Sequence, residues 1–166
     1  MLGMIAGSAV SNDGRYGRAS FSAPSVEGHV AAIEEAVAVS GLETQDIGLL
    51  HGHGTATVLG DDVEIAAFSQ AYGQRHDDDL PLCSIKAHIG HTDSAAGIAS
   101  LIASIQAAAT GIQPPAHTAN SPHPSLARTQ NLKLLSAPRT WDAAQRWAGV
   151  SALGIGGVNC HVIAGY

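Results

Sequence analysis

Three short motifs combine glycines with histidine, lysine or hydroxyl side chains, and each stands beside an apolar segment. The first is His-Gly-His-Gly-Thr-Ala-Thr at residues 51–57, and the second is Lys-Ala-His-Ile-Gly-His at residues 86–91. The third is Gly-Ile-Gly-Gly-Val-Asn-Cys-His at residues 154–161. The apolar segments before the first two motifs have the length of buried strands, and functional sites in α/β proteins gather at strand ends. The pattern therefore predicts an α/β fold with functional groups along one edge of a sheet.

Strand-like and helix-like segments alternate along the chain. Ser25 is a good N-cap for the first helix, and Gly41 follows its end. Four prolines predict an extended loop over residues 112–126. The predicted helices lie at about 26–40, 60–72 and 95–109, and the predicted strands at 47–50, 80–85, 132–135, 148–153 and 161–164. A chain of 166 residues with this alternation is predicted to be one domain with a single central sheet and helices on both faces.

Composition argues against several classes of function. Hydrophobic residues make up 45% of the chain and charged residues 13%, about half the usual ~25%. The net charge is −6 and there is no cluster of lysine and arginine, which argues against nucleic-acid binding. No apolar run reaches the ~18 residues that a membrane span needs, and two cysteines give no disulfide framework. We expect a cytoplasmic protein that binds neither nucleic acid nor membrane.

The three motifs, in this order and at this spacing, resemble the C-terminal half of a ketosynthase (β-ketoacyl synthase), the carbon–carbon bond-forming domain of polyketide and fatty-acid synthases. Residues 53–64 resemble the signature His-Gly-Thr-Gly-Thr-x-x-Gly-Asp-x-x-Glu, and residues 84–92 resemble the element that contains Lys-Ser-Asn-Ile-Gly-His. Residues 149–163 resemble the closing Ser-Ser-Phe-Gly-x-Gly-Gly-Thr-Asn-Ala-His-Val segment. Residues 7–14 and 23–28 look like linking segments of modular polyketide ketosynthases. The resemblance covers nearly the whole chain.

This resemblance implies one half of a thiolase-like fold, with a central mixed β-sheet, helices on both faces, and a single domain over residues 1–166. A complete ketosynthase has two similar halves and forms a homodimer, and its nucleophilic cysteine lies in the N-terminal half. A lone C-terminal half is expected to expose the face that packs on its sister half, and so to form hetero- or homo-oligomers. The implied partners are a protein that carries the N-terminal half with its cysteine, and an acyl carrier protein.

Site residues follow from the matched motif positions. The resemblance implies that His53 and His91 donate hydrogen bonds to the extender thioester as an enolate forms, and that Lys86 orients His91. Thr55 and Thr57 would contact the phosphopantetheine arm of the carrier protein. Gly154, Ile155, Gly156 and Gly157 would form the turn that gates and lines the acyl pocket. No intrinsic cofactor is implied.

The chain departs from the family pattern at several of these positions. His51 stands where the family commonly has glutamate, and His88 stands where it has asparagine. Ala56 replaces a glycine, Leu153 replaces a phenylalanine of the gate, and Asp62 replaces a frequent proline. The two added histidines create His-x-His and His-x-x-His pairs, so a zinc site is conceivable from the ligand types. The alternative is two substituted residues beside the site, and we predict no metal.

Neither cysteine is predicted to be a nucleophile, since Cys83 falls in an apolar strand and Cys160 replaces a small alanine. Three functional hypotheses remain open. The first is a split ketosynthase, in which this chain supplies the histidines for decarboxylative Claisen condensation and a partner supplies the cysteine. The second is a non-catalytic module that docks a carrier protein or another synthase component. The third is a cysteine-free decarboxylase that acts on malonyl thioesters.

Overall fold

The computed structural model describes residues 2–14, 24–73 and 79–166. The strands are β1 (Met4–Asn12), β2 (Ile47–His51), β3 (Leu80–Cys83), β4 (Ile112–Gln113), β5 (Leu132–Lys133), β6 (Arg139–Thr140), β7 (Trp147–Gly154) and β8 (Val158–Gly165). The α-helices are α1 (Val26–Ser40), α2 (Val58–Ala71), α3 (Lys86–Ile89) and α4 (Ala96–Thr110), with 3-10 turns at Thr44–Asp46, Asp93–Ala95 and Pro124–Arg128. Within the described ranges, no helix is both long and apolar enough to span a bilayer.

Six strands form one mixed sheet in the order β1-β8-β7-β2-β3-β5. Strand β8 pairs antiparallel with both β1 and β7. Strand β2 pairs parallel with β7 and β3, and β3 pairs parallel with β5. The short strands β4 and β6 pair with each other in a separate ribbon. The parallel part of the sheet carries the first two motifs at its carboxyl edge.

Helices cover both faces of this sheet. Adjacent residues of a strand point to opposite faces, and Leu49 and Leu50 of β2 accordingly join different parts of the core. Leu50 belongs to a cluster with Ile33 of α1 and Phe68 of α2, whereas Leu49 packs in a cluster with Ala108 of α4. The predicted α/β class, with a central mixed sheet and helices on both faces, is confirmed.

Strand β1 is the longest element that the sequence pattern does not predict, and the short β4, β6 and α3 are not predicted either. Strand β1 forms an edge strand paired with β8 from Met4 to Asn12, where the sequence indicates only a linking segment. Gly7 lies so close to α1 that an added Cβ would collide with the backbone of Ala36. Pairing and close packing therefore hold a segment of small residues without a clear apolar alternation. In the second predicted linking segment, 23–28, residue 23 lies outside the described residues and residues 26–28 begin α1.

The other predicted helices and strands are confirmed in type, with shifted ends. Helix α2 begins at Val58, two residues earlier than predicted. Strand β3 ends at Cys83, two residues earlier than predicted. Ile85 is the N-cap residue of α3, and its amide donates to the ring of His51 instead of to a neighbouring strand. The predicted loop at 112–126 includes β4 and the start of a 3-10 turn, because its prolines are compatible with both.

A chain of buried polar side chains crosses the core between α1, β7, β8 and the end of α2. The Ser151 hydroxyl lies 2.8 Å from Nε2 of His29 and 2.8 Å from Nδ1 of His161. The other ring nitrogen of His161 lies 3.0 Å from the Tyr72 hydroxyl. Burial lowers the pKa of both His29 and His161 to about 3, so both rings are neutral in the folded protein at pH 7.

This network predicts acid-sensitive stability. The unfolded chain binds protons on these histidines below pH ~6.5, whereas the folded chain binds them only near pH 3, so stability falls as the pH drops through this window. Each histidine contributes a slope of up to about 1.4 kcal/mol per pH unit. Urea denaturation between pH 7 and pH 4 measures the slope. His161→Gln is expected to reduce it, and the matched exposed variant His88→Gln to leave it unchanged; a pH-independent unfolding free energy would contradict the account.

Candidate active site

The first two motifs meet because they follow neighbouring parallel strands. His51 ends β2 and lies opposite Cys83, which ends β3. The Gly52 amide donates to the Cys83 carbonyl at 2.8 Å and continues this pairing for one more residue. Segments 52–57 and 84–91 therefore leave the same edge of the sheet side by side, which is the usual place for a site in an α/β fold.

His53 and His91 are neighbours at this edge. Their ring centroids are 5.6 Å apart and their planes are nearly perpendicular, at 87°. Burial, followed by the charges of Lys86 and His91, lowers the pKa of His53 to about 4. His53 is therefore a neutral ring at pH 7, and a neutral imidazole N–H donates a hydrogen bond without adding a full charge.

The proton position on His91 follows from its backbone partner. The Asp93 amide donates to Nδ1 of His91 at 3.0 Å, which leaves Nε2 to carry the proton of the neutral ring. Asp93 adopts a left-handed backbone conformation, with φ of 52°, which is uncommon for a residue other than glycine. The local turn thus fixes both the tautomer and the direction of the His91 ring.

Glu64 fixes the loop that carries His53. This buried carboxylate of α2 accepts the His53 amide at 2.5 Å and the Gly54 amide at 2.8 Å. Burial raises the pKa of Glu64 to about 7, against the opposing effect of these two amides. Glu64 is part of the matched signature, but the sequence alone predicts no role for it. The signature itself could have indicated this role, because Glu64 is its last residue and lies on the helix that follows the loop.

Lys86 enters the site from the first residue of α3 and is largely buried. Burial lowers the pKa of its amine, and the Glu64 carboxylate partly offsets this effect. The two groups thus share an enclosed region in which each influences the charge of the other. A lysine in such a setting exerts its field on nearby reacting groups with little solvent screening.

A cavity of about 330 Å³ opens beside these groups. Its wall includes the side chains of Glu64, Lys86 and His91, together with Thr55 and His117. Gly52 and Gly54, on either side of His53, also line it. Of the predicted site residues, His91, Lys86 and Thr55 line the cavity, whereas His53 packs against His91 and is not itself among the described residues that line it.

Comparison with known proteins identifies the family. The sequence matches the family described as "Beta-ketoacyl synthase, C-terminal domain" over residues 2–120. This chain belongs to that family. The ketosynthase C-terminal domain is 38% identical over 175 residues to "Chalcone synthase cfoA" of Aspergillus candidus, and 39% identical over 168 residues to "Spectinabilin polyketide synthase system protein NorC" of Streptomyces orinoci. Each match covers 98% of this chain but only 6% and 7% of the relative.

Solved ketosynthase structures match the whole fold of the domain. The oxazolomycin ketosynthase domain OzmH KS7 of Streptomyces albus aligns with a TM-score of 0.88 at 34% identity, over 98% of this chain and 30% of that one. The ketosynthase from module 6 of the bacillaene synthase of Bacillus subtilis 168 aligns with a TM-score of 0.90 at 27% identity, over 100% of this chain and 31% of that one. The predicted resemblance to a polyketide synthase ketosynthase of thiolase-like fold is confirmed, and the chain spans less than a third of these ketosynthase chains.

The two threonines of the first motif lie at the mouth of the site in this ketosynthase domain. Thr55 lines the cavity, and its hydroxyl lies 3.4 Å from the hydroxyl of Thr57. Thr57 stands at the N-terminus of α2, just outside the cavity wall. Both side chains are accessible, so their predicted contact with a phosphopantetheine arm stays a prediction.

The predicted turn 154–157 lies apart from the cavity. It joins β7 to β8, with Gly156 and Gly157 in left-handed conformations at φ of 102° and 93°. Ile155 is 89% exposed at its tip. Because β7 runs parallel to β2, the turn lies at the same sheet edge as His53, yet none of its residues is among the described residues that line the cavity. Its role in an acyl pocket stays a prediction.

Neither thiol of the ketosynthase domain is activated. Burial raises the pKa of the Cys83 thiol to about 12, and burial also raises the pKa of Cys160. Since the thiolate is the nucleophile, a raised pKa disfavours the reactive form of both groups. These environments agree with the prediction that both are structural residues.

The four histidines of the first two motifs do not form one cluster. His51 turns into the core toward Ile85 and Ser104, and the ring of His88 packs against His117 at a centroid distance of 5.5 Å. In the described part of the chain, no group of three or more histidine, cysteine or acidic side chains is arranged to hold a metal. The His-x-His and His-x-x-His pairs therefore do not bring their four rings together, and these described side chains do not form the conceivable zinc site.

Replacing Glu64 tests its role in holding the loop. In the wild type, each Glu64 oxygen accepts one backbone amide. In Glu64→Gln, one oxygen is replaced by an NH₂ group, which cannot accept and faces a backbone N–H donor. The expected loss in unfolding free energy is about 1–3 kcal/mol. The exposed control Glu35→Gln should stay within about 0.5 kcal/mol of the wild type. Chemical denaturation compares the two, and equal stability of Glu64→Gln and wild type would refute the assignment.

Proposed function

We propose that this chain supplies the histidine and lysine half of a polyketide-synthase ketosynthase site, which a partner chain completes with the nucleophilic cysteine. The reaction would be decarboxylative Claisen condensation between carrier-protein thioesters. The observation that carries the proposal is the contact between the His53 and His91 rings in the field of Lys86, with His91 and Lys86 lining the cavity.

Neutral imidazoles suit the decarboxylation step. Loss of CO₂ from a malonyl thioester leaves its electron pair as an enolate, whose oxygen gains negative charge. Preorganised N–H donors stabilise such a charge most strongly in an enclosed site. His91 offers its Nε2 proton because Nδ1 accepts the Asp93 amide. Nδ1 of His53 is buried without a hydrogen-bond partner, and a bare lone pair there costs less than a bare N–H, which favours the proton on Nε2.

Condensation also requires an acyl group held as a thioester on a cysteine. The carbanion attacks the acyl carbonyl, the new carbon–carbon bond forms, and the cysteine leaves as a thiolate. Cys83 and Cys160 have raised pKa values, so neither serves this purpose. We therefore assign the nucleophile to a ketosynthase N-terminal half.

An apolar face beside the site supports this choice of partner. On α4, Ile98 and Ile102 lie one turn apart and are 54% and 56% exposed. On the same side of the sheet, Val10 of β1 and Val158 of β8 are exposed as well. Exposed apolar side chains on one side of a sheet are available to pack against a partner. Solved ketosynthase chains are more than three times as long as the part matched here, so most of such a chain lies outside the match.

The extender unit and the growing chain would arrive on acyl carrier proteins. We assign contact with the phosphopantetheine arm to Thr55, which lines the cavity, and to its neighbour Thr57, because hydroxyls can bond the amide groups of the arm. The chain itself needs no resident cofactor or metal under this proposal.

A second candidate is decarboxylation without condensation. It is favoured by one observation, that His53, His91 and Lys86 come together within this chain alone. Under this alternative, the isolated chain would release CO₂ from a malonyl thioester with no need of a cysteine.

Release of CO₂ from malonyl-carrier protein tests the histidines. With an N-terminal ketosynthase half present, His53→Ala is expected to reduce the rate by about 10²-fold or more, because an oxyanion donor is lost. The matched control His123→Ala, at the 3-10 turn away from the cavity, should keep the wild-type rate. Equal rates for wild type and His53→Ala would contradict the proposal, and full activity of the isolated chain would favour the second candidate.

A further inference from the structure

His51 is a buried histidine at the end of β2 that the proposed chemistry does not use. It is 2% exposed, and it stands two residues before His53 and opposite the end of β3. Its ring spans the gap between the two motifs. Nε2 lies 2.7 Å from the Ile85 amide nitrogen, and Nδ1 lies 3.2 Å from the Ser104 hydroxyl on α4.

The hydrogen bonds determine its tautomer. The Ile85 amide can only donate, so Nε2 of His51 must accept and carry no proton. The Ser104 hydroxyl donates to the Ser100 carbonyl at 2.9 Å, so this oxygen accepts from Nδ1–H of His51. The ring is therefore the neutral Nδ1–H tautomer, and a proton on Nε2 would place two donors against each other.

The accepted amide belongs to the turn that carries Lys86. Ile85 is the N-cap residue of α3, and its side chain forms no cap hydrogen bond. A helix of four residues has little stability of its own, so an external acceptor for its first amide fixes where it begins. Since Lys86 is the first residue of α3, this contact also fixes the base of the Lys86 side chain.

A histidine at position 51 also affects the charge around Lys86. The groups around the ring are the Cys83 thiol on β3, the Ser104 hydroxyl on α4, Lys86 on α3, and His88, which lines the same small cavity. Among the groups that act on the Lys86 amine, Glu64 is the carboxylate that raises its pKa. A carboxylate at position 51 would accept the same amide but would add a second negative charge beside the ammonium.

We propose that His51 is a positioning residue for Lys86. The neutral His51 ring accepts the Ile85 amide and so holds the Ile85–Lys86 turn. Because this ring adds no charge, Glu64 is the carboxylate that balances the charge of the lysine. The importance of Lys86 for the reaction rests on the proposed function. The placement and charge of Lys86 do not, and they can be measured without any substrate.

The sequence makes the measurement simple, because Lys86 and Lys133 are its two lysines. In protein labelled with ¹³C-lysine, the Cε resonances of both residues are followed against pH by NMR, with the exposed Lys133 as the internal reference. Ring ¹⁵N shifts of His51 and the exchange protection of the Ile85 amide are recorded on the same full chain. The wild type is expected to give the Nδ1–H tautomer and a protected Ile85 amide.

Three variants separate position from charge. His51→Gln keeps one acceptor and one donor. The exchange protection of the Ile85 amide and the pH midpoint of the Lys86 titration should therefore match the wild type. His51→Glu should keep the protection and raise the Lys86 midpoint by about one pH unit, as an added opposite charge does. His51→Leu should lower Ile85 protection by about tenfold, the equivalent of one lost hydrogen bond.

The Nε2–H tautomer in the wild type would overturn the proposal, and this result does not depend on any variant being folded. Unchanged Ile85 protection in His51→Leu, or an unchanged Lys86 midpoint in folded His51→Glu, would also overturn it. Decarboxylation by the complex with an N-terminal half is measured separately. If the tautomer and the midpoints are as expected while this activity is absent, the proposed function fails and the assignment of His51 stands.

Discussion

The two hydrogen bonds that Glu64 accepts from the backbone of His53 and Gly54 are the contact on which the site depends. They join α2 to the loop after β2, and they place a buried carboxylate within the field of Lys86. If this contact is lost, the loop has no other described side-chain acceptor for these amides, and His53 loses its fixed position beside His91. One carboxylate therefore sets both the geometry and the charge balance of the site.

The two halves of the site are fixed by different means. His53 depends on a side chain that reaches back from a helix, whereas His91 depends on a strained turn whose Asp93 amide fixes its tautomer. Lys86 depends on a third contact, since the turn before it is held by the ring of His51. Rigid support of this kind suits donors that must be in place before charge develops, because little reorganisation is then needed during the reaction.

Sequence reasoning could predict the fold class because the helix and strand patterns of the parallel part are strongly periodic. It could also predict that His53, His91 and Lys86 meet, since their motifs follow adjacent strands. It missed β1, whose small residues carry no clear alternation and whose partner, β8, lies almost the whole chain away. The functions of Glu64 and His51 depend on contacts of single atoms between segments 10 to 53 residues apart, and no local pattern encodes such contacts. For the same reason, ligand types alone made a zinc site conceivable at His51 and His88, whose rings turn toward Ser104 and His117 respectively.

Association with a ketosynthase N-terminal half is the central requirement of the proposed function, because that proposal assigns the nucleophilic cysteine to such a half and the contact to the exposed isoleucines of α4. Native mass spectrometry of this chain mixed with a ketosynthase N-terminal half measures it most directly. The account predicts a heteromer that contains both chains in equal numbers, and its loss in Ile102→Glu, which places a charge on the apolar face. Retention of this chain as a monomer or as a homo-oligomer in the presence of such partners would contradict it.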